Sequence, residues 1–257
     1  MTKLVLPSAL FVLISLTAQM RLSAADSPAV ASPPAWIKPA FAQGLTKIEF
    51  YDPAKDPHEF PGWTVFDSDL KYQFDYEYQL REDKKKYVVT LMPKFTKVEL
   101  VVRHRIQLPL KYESSRVWES PLAQHELEHV GIGAHRRTVM LAQHLVRKVQ
   151  RVERTVSKPN QITNDWAQDA IREEIAPRRE ALDELLKANN RNLDKLTGHG
   201  ARPLADRDAF YAEMYLKENL DELKFPYLHE VLELLEDRDY LAARWGPAPM
   251  KPGNPKK

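Results

Sequence analysis

The residues whose types and spacing best suit chemistry lie at positions 125 to 129, which read His-Glu-Leu-Glu-His. Two histidines four residues apart project from the same face of a helix, and both can ligate Zn²⁺. The glutamate that follows the first histidine can hold a zinc-bound water and take its proton. The motif therefore predicts a hydrolytic zinc site with His125 and His129 as metal ligands and Glu126 as general base.

Two histidines leave a third protein ligand to be found, and His135 is the first candidate because its spacing from His129 is that of a metzincin. Ile132 stands where that pattern requires a glycine to end the helix. If the helix continues, His135 points about 80–120° away from the two ligands. His144 would lie about 20 Å farther along the same helix. Both are therefore expected to be solvated or packing histidines, with His135 kept as an alternative ligand.

The segment from 193 to 200, Leu-Asp-Lys-Leu-Thr-Gly-His-Gly, provides two further candidates. A short connection between two long helices favours an antiparallel pair, which would bring the end of the second helix back beside His129. His199 is flanked by glycines that let its backbone turn toward the metal. We expect His199 to be the third ligand. Asp194, one turn earlier, would orient a histidine from behind or ligate the metal in its place.

Typical start and stop signals in the sequence predict the helices that must position these residues. Ser120 followed by Pro121 is a typical helix start, with a capping hydroxyl and a proline where no N–H is needed. Apolar residues then recur at helical spacing to about Val156, which predicts one long helix. A second helix is expected over 164–196, closed by Thr197 to Gly200. Two more helical stretches are expected over 206–223 and 227–243.

Residues 45–110 have a different character. Several runs rich in β-branched and aromatic residues follow one another, and residues 72–78 alternate aromatic with polar side chains, as a strand with one buried face does. These runs predict a small antiparallel sheet. The fold class expected for residues 45–243 is therefore α+β, a single domain with β-rich residues 45–110 and helical residues 120–243.

A family resemblance rests on four features of this order. They are the β-rich segment, residues 106–109 (Ile-Gln-Leu-Pro), Trp118 before the helix, and the pairing of His125 to His129 with residues 194–200 (Asp-Lys-Leu-Thr-Gly-His-Gly). Over residues 45–215 the chain resembles a bacterial family of unknown function described as predicted secreted Zn-dependent proteases. The resemblance implies a zincin-like metallopeptidase fold, zinc on His125 and His129, Glu126 as base, and a functional role for Asp194 or His199.

The amino terminus has the features of a secretion signal. Lys3 precedes an apolar run from Leu4 to Ala18, and Ser23 and Ala25 suit signal-peptidase cleavage before Asp26. We expect residues 1–25 to be a signal peptide, with an uncleaved membrane anchor as the alternative. Residues 26–44 are expected to be a flexible Pro/Ala-rich leader and residues 244–257 a disordered tail. The mature chain is therefore expected to be periplasmic or secreted, without stable membrane insertion.

Composition narrows the chemistry further. The chain has no cysteine, which excludes disulfides, thiolate metal ligands and a cysteine nucleophile. Its 38 Lys and Arg nearly balance 36 Asp and Glu, so no nucleic-acid partner is expected. The expected partner is a peptide or protein substrate, including cell-envelope proteins. The alternative function is that of a catalytically inactive zincin-like protein with a structural zinc, acting as an envelope-binding or scaffold module.

Overall fold

The computed structural model describes residues 32–157 and 162–243, in which four strands form one sheet. Their bounds are β1 Thr46–Tyr51, β2 Trp63–Asp83, β3 Lys86–Pro109 and β4 Val152–Ser157. The two long strands, β2 and β3, form a hairpin that turns at Lys84, whose φ is 49°. The β-rich character of residues 45–110 is thus confirmed.

The strand β3 is the centre of the sheet. It pairs antiparallel with β2 along almost its whole length on one side. On the other side it pairs with β4 at its start and with β1 at its end. The β1 pairing is parallel, with Thr46 opposite His104. The sheet is therefore mixed, and the expectation of a purely antiparallel sheet is wrong for β1. The strands β1 and β2 lie on opposite sides of β3, and the chain passes through β2 before it forms β3, so β1 runs in the same direction as β3.

The described residues also form eight α-helices, of which α1 to α4 contact the sheet. Their bounds are α1 Lys38–Ala42, α2 Pro121–Ala134, α3 Arg136–Arg147, α4 Asn164–Thr197, α5 Arg207–Glu213, α6 Lys217–Glu222, α7 Leu228–Leu235 and α8 Arg238–Ala242. Two short 3₁₀ turns, Leu110–Tyr112 and Val117–Glu119, lead from β3 into α2. The mixture of one small sheet with helices is consistent with the α+β class.

The long helix expected from 120 to 156 is wrong beyond residue 134. His135 adopts an extended backbone (φ −66°, ψ 134°), and its Nδ1 accepts a hydrogen bond from the Arg137 N–H, so it caps a new helix, α3. The break lets the buried Arg137 side chain donate hydrogen bonds to the carbonyls of Tyr240 and Leu241. Long-range contacts with α8 thus override the apolar spacing that suggested a continuous helix.

The expected boundaries need two more corrections. Residues 152–157 (Val-Glu-Arg-Thr-Val-Ser) form β4 inside the region expected to be helical, because their β-branched residues pair with β3. Within the expected flexible leader, α1 is folded and Ile37 is 2% exposed, so structure begins before residue 45. The expected signal peptide, residues 26–31 of the leader and the expected tail lie outside the described residues.

The core is divided into two clusters of buried side chains. The larger lies between the sheet, α3, α4 and the C-terminal helices, and includes Val102 and Ile132. The smaller lies between α1, the end of β3 and α2, and includes Ile106 and Val130. The helix α2 therefore runs across both clusters and is held on several sides.

None of the helices in the described ranges combines the length and the apolar character that crossing a membrane requires.

Candidate metal centre

Helix α2 presents His125 and His129 side by side. Ser120 caps its start by accepting a hydrogen bond from the Ala123 N–H, and Pro121 occupies the first turn, as the sequence predicted. The two histidines are 4% and 9% exposed. Their Nε2 atoms lie 3.1 Å apart, close enough for both nitrogens to bind the same metal ion.

The carboxylate of Asp194 completes this arrangement. Asp194 lies in the last turn of α4, and its Oδ1 atom is 3.2 Å from Nε2 of both His125 and His129. Ligands at 2.0–2.1 Å from a tetrahedral Zn²⁺ are about 3.3–3.4 Å apart. The three atoms therefore form a triangle close in size to one face of a zinc tetrahedron, and the group could hold a metal ion.

Two side chains of α4 orient the histidine rings from behind. The His129 Nδ1 lies 2.7 Å from Asn190 Oδ1, and the Asn190 amide nitrogen donates to the Leu186 carbonyl. That second bond identifies Oδ1 as the acceptor, so His129 carries its proton on Nδ1 and leaves Nε2 free to bind a metal.

Thr197 plays the same part for His125. The Thr197 hydroxyl lies 3.3 Å from His125 Nδ1 and donates its own proton to the Leu193 carbonyl 2.9 Å away. The hydroxyl oxygen therefore accepts from the Nδ1–H of His125, and Nε2 is the ring nitrogen that would bind a metal. Sequence reasoning missed Asn190 and the role of Thr197, although residues 190, 194 and 197 share one helix face by spacing.

Glu126 lies next to the metal-ligand group and is almost completely buried, at 2% exposed. Its Oε2 accepts a hydrogen bond of 2.8 Å from the Thr64 hydroxyl at the start of β2. Its Oε1 lies beside Gly62, where a β-carbon would approach to 3.0 Å. The strand β2 therefore holds one carboxylate oxygen, and the missing side chain at position 62 leaves room for the other.

Burial and charge act against each other in this site. Burial raises the pKa of Glu126, and the nearby His129 and the Thr64 hydrogen bond only partly oppose it. Burial would also raise the pKa of Asp194, but hydrogen bonds with both histidines hold that pKa well below its usual range. Burial lowers the pKa of His129, whereas its bond to Asp194 and the charge of Glu126 more than restore it. Asp194 therefore stays ionised, which favours a bound cation.

Comparison with known proteins finds no match to any family model, to any curated protein or to any solved structure. The resemblance to secreted zinc-dependent proteases therefore stays a prediction.

His199, expected as the third ligand, lies outside the group of three. Its backbone is left-handed (φ 54°), between Gly198 and Gly200, and its side chain is half exposed. Its Nδ1 is 3.4 Å from Asp194 Oδ1, and its ring stacks on Phe60 with centroids 4.2 Å apart. The glycines bring the loop close to the site, as expected, but it is Asp194 that meets the two histidines.

His135, the alternative ligand, is also not part of the group. It is 2% exposed, and its ring packs near Tyr211 and Tyr215. The side-chain direction expected for His135 depended on a continuous helix, and that expectation is wrong because α2 ends at Ala134. The chain turns at this point, and His135 faces the C-terminal helices instead of the metal-ligand group.

The other side of α2 is fixed by contacts with α5 and the residues after it. Glu128, buried at 3% exposed, forms an ion pair of 2.9 Å with Arg207. The Tyr211 hydroxyl donates to the Glu128 carbonyl, and the Tyr215 hydroxyl donates to the Ile132 carbonyl. These contacts hold the helix that carries His125 and His129 against α5 and the residues that follow it.

Proposed function

We propose that this chain is a zinc-dependent hydrolase of the peptidase class, with His125, His129 and Asp194 as metal ligands and Glu126 as general base. The observation that carries the proposal is the triangle of two Nε2 atoms and one Oδ1 atom, 3.1–3.2 Å on each side. A zinc ion held there would polarise a carbonyl oxygen and acidify a water molecule.

The protein residues supply positioning and proton transfer. Thr64 holds Oε2 of Glu126, so that the other carboxylate oxygen accepts the proton of the attacking water. The raised pKa of Glu126 suits a group that must first take a proton and later return it to the leaving amine.

His199 stands at the exposed edge of the site. Because its Nδ1 faces Asp194 and half of its side chain is open to solvent, we assign it to the substrate side. Its other ring nitrogen could hydrogen-bond to a substrate carbonyl, which is the role of an oxyanion-stabilising donor.

Three protein ligands beside an acidic side chain favour catalysis over a structural role. Structural zinc sites use four protein ligands, whereas catalytic sites keep one position for water or substrate. In the described parts of the chain, the group able to bind a metal consists of His125, His129 and Asp194. One tetrahedral position would remain for a water molecule.

One observation favours the alternative, a zinc-binding module without turnover. Glu126 is only 2% exposed, and Phe60 stacks on His199 at the edge of the site, so little of the base is open to a substrate. Such a protein would hold zinc for structure while its surface binds envelope material.

Metal analysis and a hydrolysis assay test the proposal. The full chain is expected to bind about one zinc, and His125→Ala to lose it. Glu126→Gln should retain zinc yet lose hydrolysis of fluorescein-labelled casein, since an amide cannot accept the proton. Glu119→Gln, at an exposed surface glutamate, is the matched control and should behave as wild type.

Cobalt substitution separates the two functions even if casein is a poor substrate. Co²⁺ with an exchangeable fourth ligand changes its visible spectrum when acetohydroxamate is added. We expect such a change in the wild type. An unchanged spectrum, with zinc bound and no casein hydrolysis, would establish the structural role instead.

We also propose that the chain is exported, with cleavage after Ala25. The features that support this are the single early cation, the short apolar run and the small residues at 23 and 25. Amino-terminal sequencing of the protein recovered from a periplasmic fraction is expected to begin at Asp26.

A further inference from the structure

The two core clusters meet at His104, in the middle of the buried face of β3. Leu100 and Val102 on this face belong to the larger cluster, whereas Ile106 and Leu108 belong to the smaller one. His104 lies between these pairs and is 5% exposed. The seam between the clusters is therefore marked by a polar residue on an otherwise apolar strand face.

A cavity of about 380 Å³ opens at this seam, bounded by α1, β3, the α2–α3 junction and α3. This volume lies within the usual range for small-molecule sites, about 300–1,000 Å³. Much of the wall is aliphatic, formed by Ile37, Leu45, Leu100, Val102, Val139 and Met140. An apolar molecule of modest size would fit such a wall.

His104 lies on the cavity wall with an unsatisfied side chain. Within residues 32–157 and 162–243, neither of its ring nitrogens has a hydrogen-bond partner. Buried polar groups are nearly always hydrogen-bonded, because an unpaired one costs about 1–3 kcal/mol. Both nitrogens lie beneath the surface of the wall, with Nε2 packed against Gly133, so the ring bounds the cavity without offering it a polar atom.

Positive charge lies at the same cavity. Arg136 is part of the wall and is only partly buried, and in the described part of the chain no carboxylate pairs with it. It is also the first residue of α3, whose twelve residues direct the positive end of the helix dipole toward this junction. A guanidinium group and a helix start both favour a bound carboxylate.

From these features we infer that the seam cavity is a binding site for a monocarboxylate with an apolar tail. The carboxylate is held by Arg136 at the start of α3, and the tail fills the aliphatic space. The site is separate from the proposed zinc centre, and its existence does not depend on hydrolysis.

Isothermal titration of the full chain with decanoate tests this site. We expect saturable binding of one decanoate, and Arg136→Gln should weaken it about 10–100-fold, the effect of losing a charge-assisted hydrogen bond. The control is Arg147→Gln at the exposed end of the same helix, which should leave binding unchanged. Val139→Phe, which fills the cavity, should reduce binding even where Arg136 is intact.

Two further titrations keep the result unambiguous. Decanol has the same tail without the carboxylate and is expected to bind more weakly. Decanoate should bind the His125→Ala variant as it binds the wild type, because a carboxylate bound through zinc would be lost there. The proposal is overturned if wild type binds no decanoate, if decanol binds equally well, or if binding disappears in His125→Ala.

Discussion

At the scale of single residues, Asp194 has the decisive position. Its Oδ1 is close to three histidine side chains at once, those of 125, 129 and 199. Only His125 and His129 have rings whose orientation is fixed by a second hydrogen bond. Nδ1 of His125 bonds Thr197, and Nδ1 of His129 bonds Asn190. Asp194 is therefore the third ligand that we propose, and His199 is a neighbouring side chain in contact with it.

Metal affinity should follow this order. We expect Asp194→Ala to lower zinc affinity most, Asn190→Ala to lower it about 10–100-fold as loss of an orienting partner does, and His199→Ala to change it little. Competition titration with a chelator measures all three. Asp169→Ala, an exposed aspartate on the same helix, is the control. If His199→Ala lost metal while Asp194→Ala kept it, the assignment of ligands would be reversed.

Thr64 provides a second test at this scale. Its hydroxyl bonds Oε2 of Glu126, so Thr64→Val should leave zinc bound but lower kcat by about 10–100-fold through misplacement of the base. If Thr64 had only a structural role, Thr64→Val would lower the thermal stability and leave kcat per bound zinc unchanged. Thr64→Ser, which keeps the hydroxyl, is expected to restore most of the activity.

At the scale of elements, the contact between α2 and β3 depends on a glycine. A β-carbon at position 133 would lie 2.4 Å from His104 Nε2 and 2.9 Å from a Val102 methyl. Glycine in a helix costs about 1 kcal/mol relative to alanine, so its presence here reflects close packing and not helix preference.

We therefore expect Gly133→Ala to destabilise the protein by about 1–3 kcal/mol, because overpacking exceeds the gain in helix propensity. Urea unfolding followed by circular dichroism measures the change. Shortening the opposing side chain should relieve it, so the double variant Gly133→Ala/His104→Ala is expected to be more stable than the sum of the two single effects. Purely additive effects would argue against the contact.

At the scale of the whole molecule, the neutral buried His104 makes stability depend on pH. Burial, together with the charge of His129, lowers its pKa from 6.5 to about 4. Between these values the unfolded chain binds a proton that the folded chain does not. The contribution of His104 is therefore intact above pH 6.5 and is lost as the pH falls to 4, by about 3 kcal/mol.

Urea unfolding at pH 7 and at pH 4.5, in the presence of a chelator, measures this dependence. The wild type should lose more stability over this range than His104→Phe, which keeps a ring but cannot take a proton. The difference between the two proteins isolates His104 from Asp194 and His129, which titrate in both. An equal loss in both proteins would show that His104 contributes nothing to acid sensitivity.

The sequence by itself determined the features that depend on neighbours within a few residues. The four-residue spacing of His125 and His129 sets them on one face of a helix, and Ser120 with Pro121 sets where that helix begins. The left-handed Gly198 ends α4 as expected, and alternation in residues 72–78 indicated a strand.

The tertiary structure decided everything that depends on distant contacts. Arg137 reaches the C-terminal carbonyls only because the chain breaks at His135, and residues 152–157 become a strand because the start of β3 has a free edge. The choice between Asp194 and His199 depends on how α4 packs against α2, which brings Asp194 Oδ1 to 3.2 Å from Nε2 of both His125 and His129. Local spacing predicts which side chains share a face, but long-range packing sets which of them converge.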